Sequence, residues 1–149
     1  MVGVLPGGKS LKHELENAGK IGHLHLSQCR LVSIPSAVFE TKRIVRLDVS
    51  HNNIAYIPHQ IGELSSLREL WLHHNPIVEI PASIGQCSVL EVVDLRKTLI
   101  SDLPPEICLL GKLFEMDWRG CPLEGFLHEN EIEYGNLQGL IALSTYRYK

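Results

Sequence analysis

Nowhere in this 149-residue chain does an apolar run exceed a few residues. A bilayer-spanning helix needs roughly 20, so membrane insertion is not expected. The chain also lacks a strong charge of either sign. Fourteen basic and seventeen acidic side chains leave a net −3. That excludes a strongly basic nucleic-acid binder and a polybasic membrane patch. Its first residues hold no basic stretch leading into a sustained apolar run, so no secretory leader is expected. Position 2 is Val2, not glycine, and the last residues offer no prenylation cysteine, so a common lipid anchor is not expected. Cys29, Cys87, Cys108 and Cys121 are scattered, without a CxxC pair, and no Asn-x-Ser/Thr sequon occurs. Both absences favour a reducing, cytoplasmic compartment.

What the chain does have is a period of 23 residues. Ile21, Ile44, Leu67, Leu90 and Leu113 follow one another at that step with no insertion or deletion. Aligned on them, the fourth position reads Leu24, Leu47, Leu70, Val93, Met116, and the sixth reads Leu26, Val49, Leu72, Leu95, Trp118. The eleventh reads Leu31, Ile54, Ile77, Ile100, Leu123, and the fourteenth reads Ile34, Ile57, Ile80, Leu103, Phe126. Every one of these positions is apolar. At 44% apolar content chance gives that about once in a billion, before allowing for the choice of period and frame.

Within each unit, positions four and six alternate with polar residues, the mark of a strand with one buried face. Apolar residues at eleven, fourteen and eighteen (Val38, Ile61, Ile84, Ile107) turn inward from the return arc. Proline at fifteen (Pro35, Pro58, Pro81, Pro104) pins φ and limits that arc to short turns. No unit can bury its own apolar face, so neighbours must stack, which makes a parallel sheet.

The segment Leu67-Arg68-Glu69-Leu70-Trp71-Leu72-His73-His74-Asn75-Pro76-Ile77 resembles the leucine-rich repeat family and its pattern LxxLxLxxNxLxxIPxxI. The position-fifteen prolines and the pairs Ile61-Gly62 and Ile84-Gly85 resemble its intracellular, Ras-suppressor-like class. The resemblance covers residues 21–127. It implies an α/β leucine-rich repeat solenoid, a short horseshoe. A parallel β-sheet would line the concave face, short turns, 3-10 or α segments the convex face, and helical caps the ends. The family's asparagine at position nine, which bonds the backbone of the turn, is kept as Asn52 and Asn75. Cys29, Thr98 and Cys121 replace it, so these cysteines are expected to be structural.

Stacked repeats need covered ends. Residues 1–9 are expected as a flexible tail and 10–20 as an N-terminal cap helix, with Ser10 capping it and Gly19 stopping it. The letters Gly3-x4-Gly8-Lys9-Ser10 match a phosphate-binding loop, but no buried strand precedes them. Five repeats over 21–127 and a cap helix over 128–149 complete one domain. The chain is expected as a monomeric module, with a longer parent protein left open.

Function is sought on the concave face, at positions three, five and seven of the strands and at position eight beside them. Position five runs His25, Asp48, Trp71, Asp94, Asp117, and position seven runs Ser27, Ser50, His73, Arg96, Arg119. No core demand explains Trp71 there, and tryptophan in such a place is typical of a binding hot spot. Trp118, at core position six, is expected to pack. The candidate partner-binding set is Trp71 with Arg46, Asp48, Glu69, His73, Asp94, Arg96, Asp117 and Arg119. The bland alternative is that these charges neutralise one another across strands.

His23, His25, His51, His73 and His74 fall on or beside the same face. His23 and His25 are same-side neighbours, yet only Asp48 offers a nearby third ligand, so neither metal nor cofactor is expected. Asp48, Ser50 and His51 share one strand, but a flat ladder gives no strained nucleophile or oxyanion hole. The expected function is therefore non-catalytic: a protein-protein interaction module binding a protein or peptide around Trp71. Its expected setting is a cytoplasmic signalling or cytoskeletal scaffold. The alternative is a structural organiser, cytoskeletal or ciliary, that makes contacts through its caps.

Overall fold

Alternation of apolar and polar residues gives each unit a strand, and the prolines keep those strands short. The computed structural model describes residues 4–123. Five strands form one parallel sheet in sequence order: β1 (His23–His25), β2 (Arg46–Asp48), β3 (Glu69–Trp71), β4 (Val92–Asp94) and β5 (Glu115–Asp117). The register steps by one repeat, so Leu24, Leu47, Leu70, Val93 and Met116 stand side by side beneath the sheet. Backbone bonding continues past the formal strands to position eight. The amides of Gln28, His51, His74 and Lys97 each donate to a carbonyl of the next repeat.

The return arcs are α1 (Leu11–Ile21), which precedes the sheet, α2 (Ala37–Glu40), and 3-10 turns at His59–Glu63, Ala82–Gln86 and Pro105–Leu109. Pro58, Pro81 and Pro104 sit just before these turns with φ of −71°, −70° and −65°. Their carbonyls accept the first bond of each turn, from Ile61, Ile84 and Ile107. Those isoleucines are buried, and the core runs without a break from Leu5 to Leu123. Trp118 belongs to it.

Glycine at position nineteen has a steric cause. A Cβ on Gly62 would lie 2.5 Å from the carbonyl oxygen of Ser83, and one on Gly85 would lie 2.8 Å from that of Glu106. The arcs thus stack with backbone against backbone.

Asparagine at position nine closes the turn on the strand side. The Asn75 side-chain oxygen accepts the Ile54 amide at 3.0 Å, and its NH2 donates to the carbonyls of Val49 (2.9 Å) and Leu72 (3.0 Å). Asn52 does the same one repeat earlier, for Cys29, Leu31, Leu26 and Val49. Where asparagine is missing, Thr98 bonds the Leu95 carbonyl at 2.8 Å, and Cys121 Sγ reaches the same oxygen. Cys29 Sγ bonds the Ser27 carbonyl. The position-nine cysteines thus take over backbone bonds that the asparagine would make.

Three expectations at the N-terminal end need correction. Residues 4–9 are not a loose tail. Val4 bridges Ser10, Leu5 donates to the Lys9 carbonyl, and Leu5 is buried in the core. An apolar side chain ahead of the cap helix covers an edge that the helix alone leaves open. Ser10 is the N-cap residue as expected, though its side chain makes no cap bond, but Gly19 does not stop the helix. The helix runs to Ile21 and ends at Gly22, φ 78°, whose amide returns to Ala18. Ile21, counted as a core position, is 66% exposed because it finishes the cap helix instead of opening a strand. The expected C-terminal cap over 128–149 and Phe126 lie outside the described residues.

Two substitutions test this account. Asn75→Ala removes three bonds worth about 1 kcal/mol each and strands their partners, so it should lower unfolding free energy by about 3 kcal/mol in urea titration. A loss under about 1 kcal/mol would contradict the role given to the amide. Gly62→Ala should cost roughly 1–3 kcal/mol through overpacking. Gly111→Ala, where a Cβ meets nothing within 4 Å, should be neutral or mildly stabilising.

Candidate functional site

The parallel register brings the position-three, -five and -seven side chains into ladders across the sheet. Between β3 and β5 these ladders enclose an open hollow of about 420 Å³. Glu69 and Trp71 come from β3, Val92, Val93 and Asp94 from β4, and Glu115 and Asp117 from β5, with Arg96 and Arg119 beyond the strand ends. Four carboxylates against two guanidiniums make its lining net acidic.

Trp71 is half-buried and held from two sides. Its indole N–H donates to Glu69 Oε2 at 3.2 Å. The Arg46 guanidinium carbon lies 4.4 Å from the ring centroid, and Arg46 Nε stands 3.4 Å from the same Glu69 oxygen. A cation over the indole face is worth about 0.5–1 kcal/mol where exposed. The ring is therefore held in orientation by its own neighbours.

The charges pair along strands. Each position-five aspartate accepts the backbone amide two residues on: Asp48 from Ser50 (3.0 Å), Asp94 from Arg96 (3.1 Å) and Asp117 from Arg119 (3.1 Å). The side chain at position seven then closes on the same carboxylate. Ser50 Oγ donates to Asp48 at 2.7 Å, while Arg96 and Arg119 grip Asp94 and Asp117 through Nε and a terminal nitrogen. One cross-strand contact joins the two ionic pairs, Arg96 Nε to Asp117 Oδ2 at 3.5 Å. Burial would push Asp117 up, but the hydrogen bonds and charge of Arg119, with Arg96, hold its carboxyl below the usual value. The bond to Asp94 raises Arg96.

Of the nine expected residues, six line the hollow: Glu69, Trp71, Asp94, Arg96, Asp117 and Arg119. Arg46 sits on the tryptophan. Asp48 is not among the residues lining the hollow and is linked to the first repeat, with Ser27 Oγ 3.1 Å from Ser50 Oγ and His25 Nδ1 3.7 Å from Asp48. His73 is buried, with its ring centroid 5.9 Å from that of Trp71. Sequence reasoning placed Val92 and Glu115 on the face but not in the site. Val92 is its one half-exposed aliphatic residue, and an apolar residue in an otherwise polar ladder was the available signal.

The histidines group differently from expectation. His25 approaches Asp48, but His23, His25 and Asp48 do not converge as a three-ligand group among the described residues. His51, His73 and His74 instead converge, each offering a ring nitrogen within 4.8 Å of the others.

A family model described as leucine rich repeat matches residues 20–77. No curated protein matches the chain. Among solved structures, a leucine-rich repeat protein of Leptospira interrogans is similar at 28% identity and a TM-score of 0.57 over 76% of the chain. The match covers 35% of that structure, so the chain spans about a third of its length.

The pairing of Asp117 with Arg119 carries a pH dependence of known sign. A carboxyl depressed in the folded state adds stability above its unfolded value, about 3.9, and loses it as pH falls through the folded value. Asp117→Asn should therefore be less stable than the parent at pH 7, with the gap closing below about pH 4. A gap that persists unchanged in acid, measured by thermal melting, would mean that packing and not charge holds Asp117.

Proposed function

Taking as premise that the chain is a leucine-rich repeat protein, we propose that it is a non-catalytic interaction module whose concave face binds a protein or peptide beside Trp71. Proteins of this fold typically mediate protein-protein contacts, and the parallel sheet offers a rigid face on which to do so. The observation that carries the proposal is the hollow itself. A pre-oriented indole borders a net-acidic recess with Val92 among its lining. Aromatic anchors of this kind dominate binding energies. The charge balance favours a segment presenting a lysine or arginine next to an apolar residue.

The setting we propose is a cytoplasmic scaffold. All four cysteines are unpaired, and burial pushes the Cys87 thiol up to about 11, which keeps it protonated and unreactive. Among the described residues no helix is long and apolar enough to cross a membrane.

A random peptide library displayed on phage and panned on the immobilised chain tests this. Selected peptides should carry basic residues beside apolar ones. Trp71→Ala should weaken them roughly 30-fold, the loss of about 2 kcal/mol expected at a hot spot, while His23→Ala leaves them unchanged. Circular dichroism confirms that each variant is folded. Binders indifferent to both Trp71→Ala and Asp94→Arg would remove the concave face from consideration and favour contacts through the ends of the array.

A further inference from the structure

Position eight leaves the strand in every repeat. Gln28, His51, His74 and Lys97 have φ of 58°, 53°, 56° and 56°, and Gly120 has 76°. The left-handed turn swings these side chains out of the alternation that governs positions three to seven. In the second and third repeats the residue is histidine, so two imidazoles stack, centroids 4.2 Å apart and 14° between planes. His73, one residue before His74, stands edge-on to both, at 5.2 Å from His51 and 5.5 Å from His74. The His51 amide donates to the His73 carbonyl, which locks the two backbones together.

We propose that His51, His73 and His74 bind a divalent transition-metal ion, zinc being the fitting occupant, beyond the ends of β2 and β3. Three imidazole nitrogens and one open position make up a familiar zinc coordination set. In a tetrahedral site with zinc–nitrogen bonds of about 2.0–2.1 Å the nitrogens stand about 3.3 Å apart. The three present here lie within 4.8 Å, so the rings must draw in by up to about 1.5 Å. His51 and His74 are exposed and can turn to do so, whereas His73 is buried and fixed.

The surroundings suit the ion. The Nδ1 of His73 is buried without a hydrogen bond, and its nearest anion is Asp94 Oδ2 at 3.2 Å. A carboxylate behind a metal-binding imidazole is a common supporting arrangement. Desolvation holds His73 below the ordinary histidine value, and for the exposed His74 partial desolvation acts together with neighbouring His51, Arg96 and Lys97, so both shifts favour the neutral ring that a metal requires. Arg96 and Lys97 oppose a cation, and Asp94 and Asp48 offset them. Like-charge neighbours therefore restrain the affinity without abolishing the site. The inference stands on the histidine geometry and does not need a partner at Trp71.

The test is a zinc titration of the untagged chain against a chromogenic chelator, with cobalt(II) absorption as a second readout. One equivalent should bind with a dissociation constant of micromolar or tighter, and cobalt should give tetrahedral d–d bands. The exposed pair His51→Gln/His74→Gln leaves the core untouched and should weaken binding at least 100-fold with loss of those bands. His23→Gln/His25→Gln should bind as the parent does. The absence of a one-equivalent site, or equal affinity in the His51/His74 variant, overturns the proposal.

Discussion

A buried or partly buried side chain at position nine of each repeat bonds backbone groups that neither strand nor arc can reach. Unpaired groups of this kind cost about 1–3 kcal/mol each when buried, so the turn that follows each strand depends on that side chain. Asn52 and Asn75 each bond two neighbouring segments at once. The same bonds fix the preceding residue in a left-handed conformation, at about 1–2 kcal/mol for a non-glycine residue. The amide network offsets that cost. Where Thr98 and Cys121 replace asparagine they contact each other at 3.1 Å and share the Leu95 carbonyl, so the ladder continues with fewer bonds per rung.

From this turn the character of the concave face follows. The strand leaves position seven with its side chain beside the aspartate at position five, and the pair closes within one strand. In the second repeat that pair is Asp48 with a serine, and in the fourth and fifth it is an aspartate with an arginine. The sheet therefore passes from a neutral, histidine-bearing side to an ionic side, and Trp71 occupies the strand between them. Position eight, thrown out by its left-handed turn, forms a separate border where His51 and His74 meet.

Strict periodicity made the fold legible. The 23-residue step located the strands, the core positions and the proline-led arcs. Apolar residues at every repeat position left little freedom for register, since a one-residue slip would expose a whole row. Period reasoning failed where the chain leaves the period. Ile21 satisfies the repeat pattern but belongs to the cap helix, and Leu5 precedes the repeats altogether yet enters the core. The layout of the concave face was legible to the same degree. Ladders predicted which residues stand side by side on the face, because strand register is a consequence of the repeat. Spacing within one strand drew attention to His23 with His25 and gave no sign of the His51, His73 and His74 group. The actual neighbours lie one repeat apart and meet only through a backbone conformation that no alternation rule contains.

The pairing along strands also bears on how such a face can bind. Asp94 and Asp117 each already hold a guanidinium, so a basic partner side chain finds carboxylates whose best hydrogen-bonding positions are occupied. Binding there would exchange one ion pair for another, and the net electrostatic gain of such an exchange is small. Affinity must then come from covering Trp71 and Val92, while the charges decide which partners are refused. An acidic segment would meet four carboxylates, and an apolar one would strip water from paired charges without replacing their contacts. On the proposed reading, the internal pairs make the hollow a filter whose selectivity exceeds its intrinsic attraction.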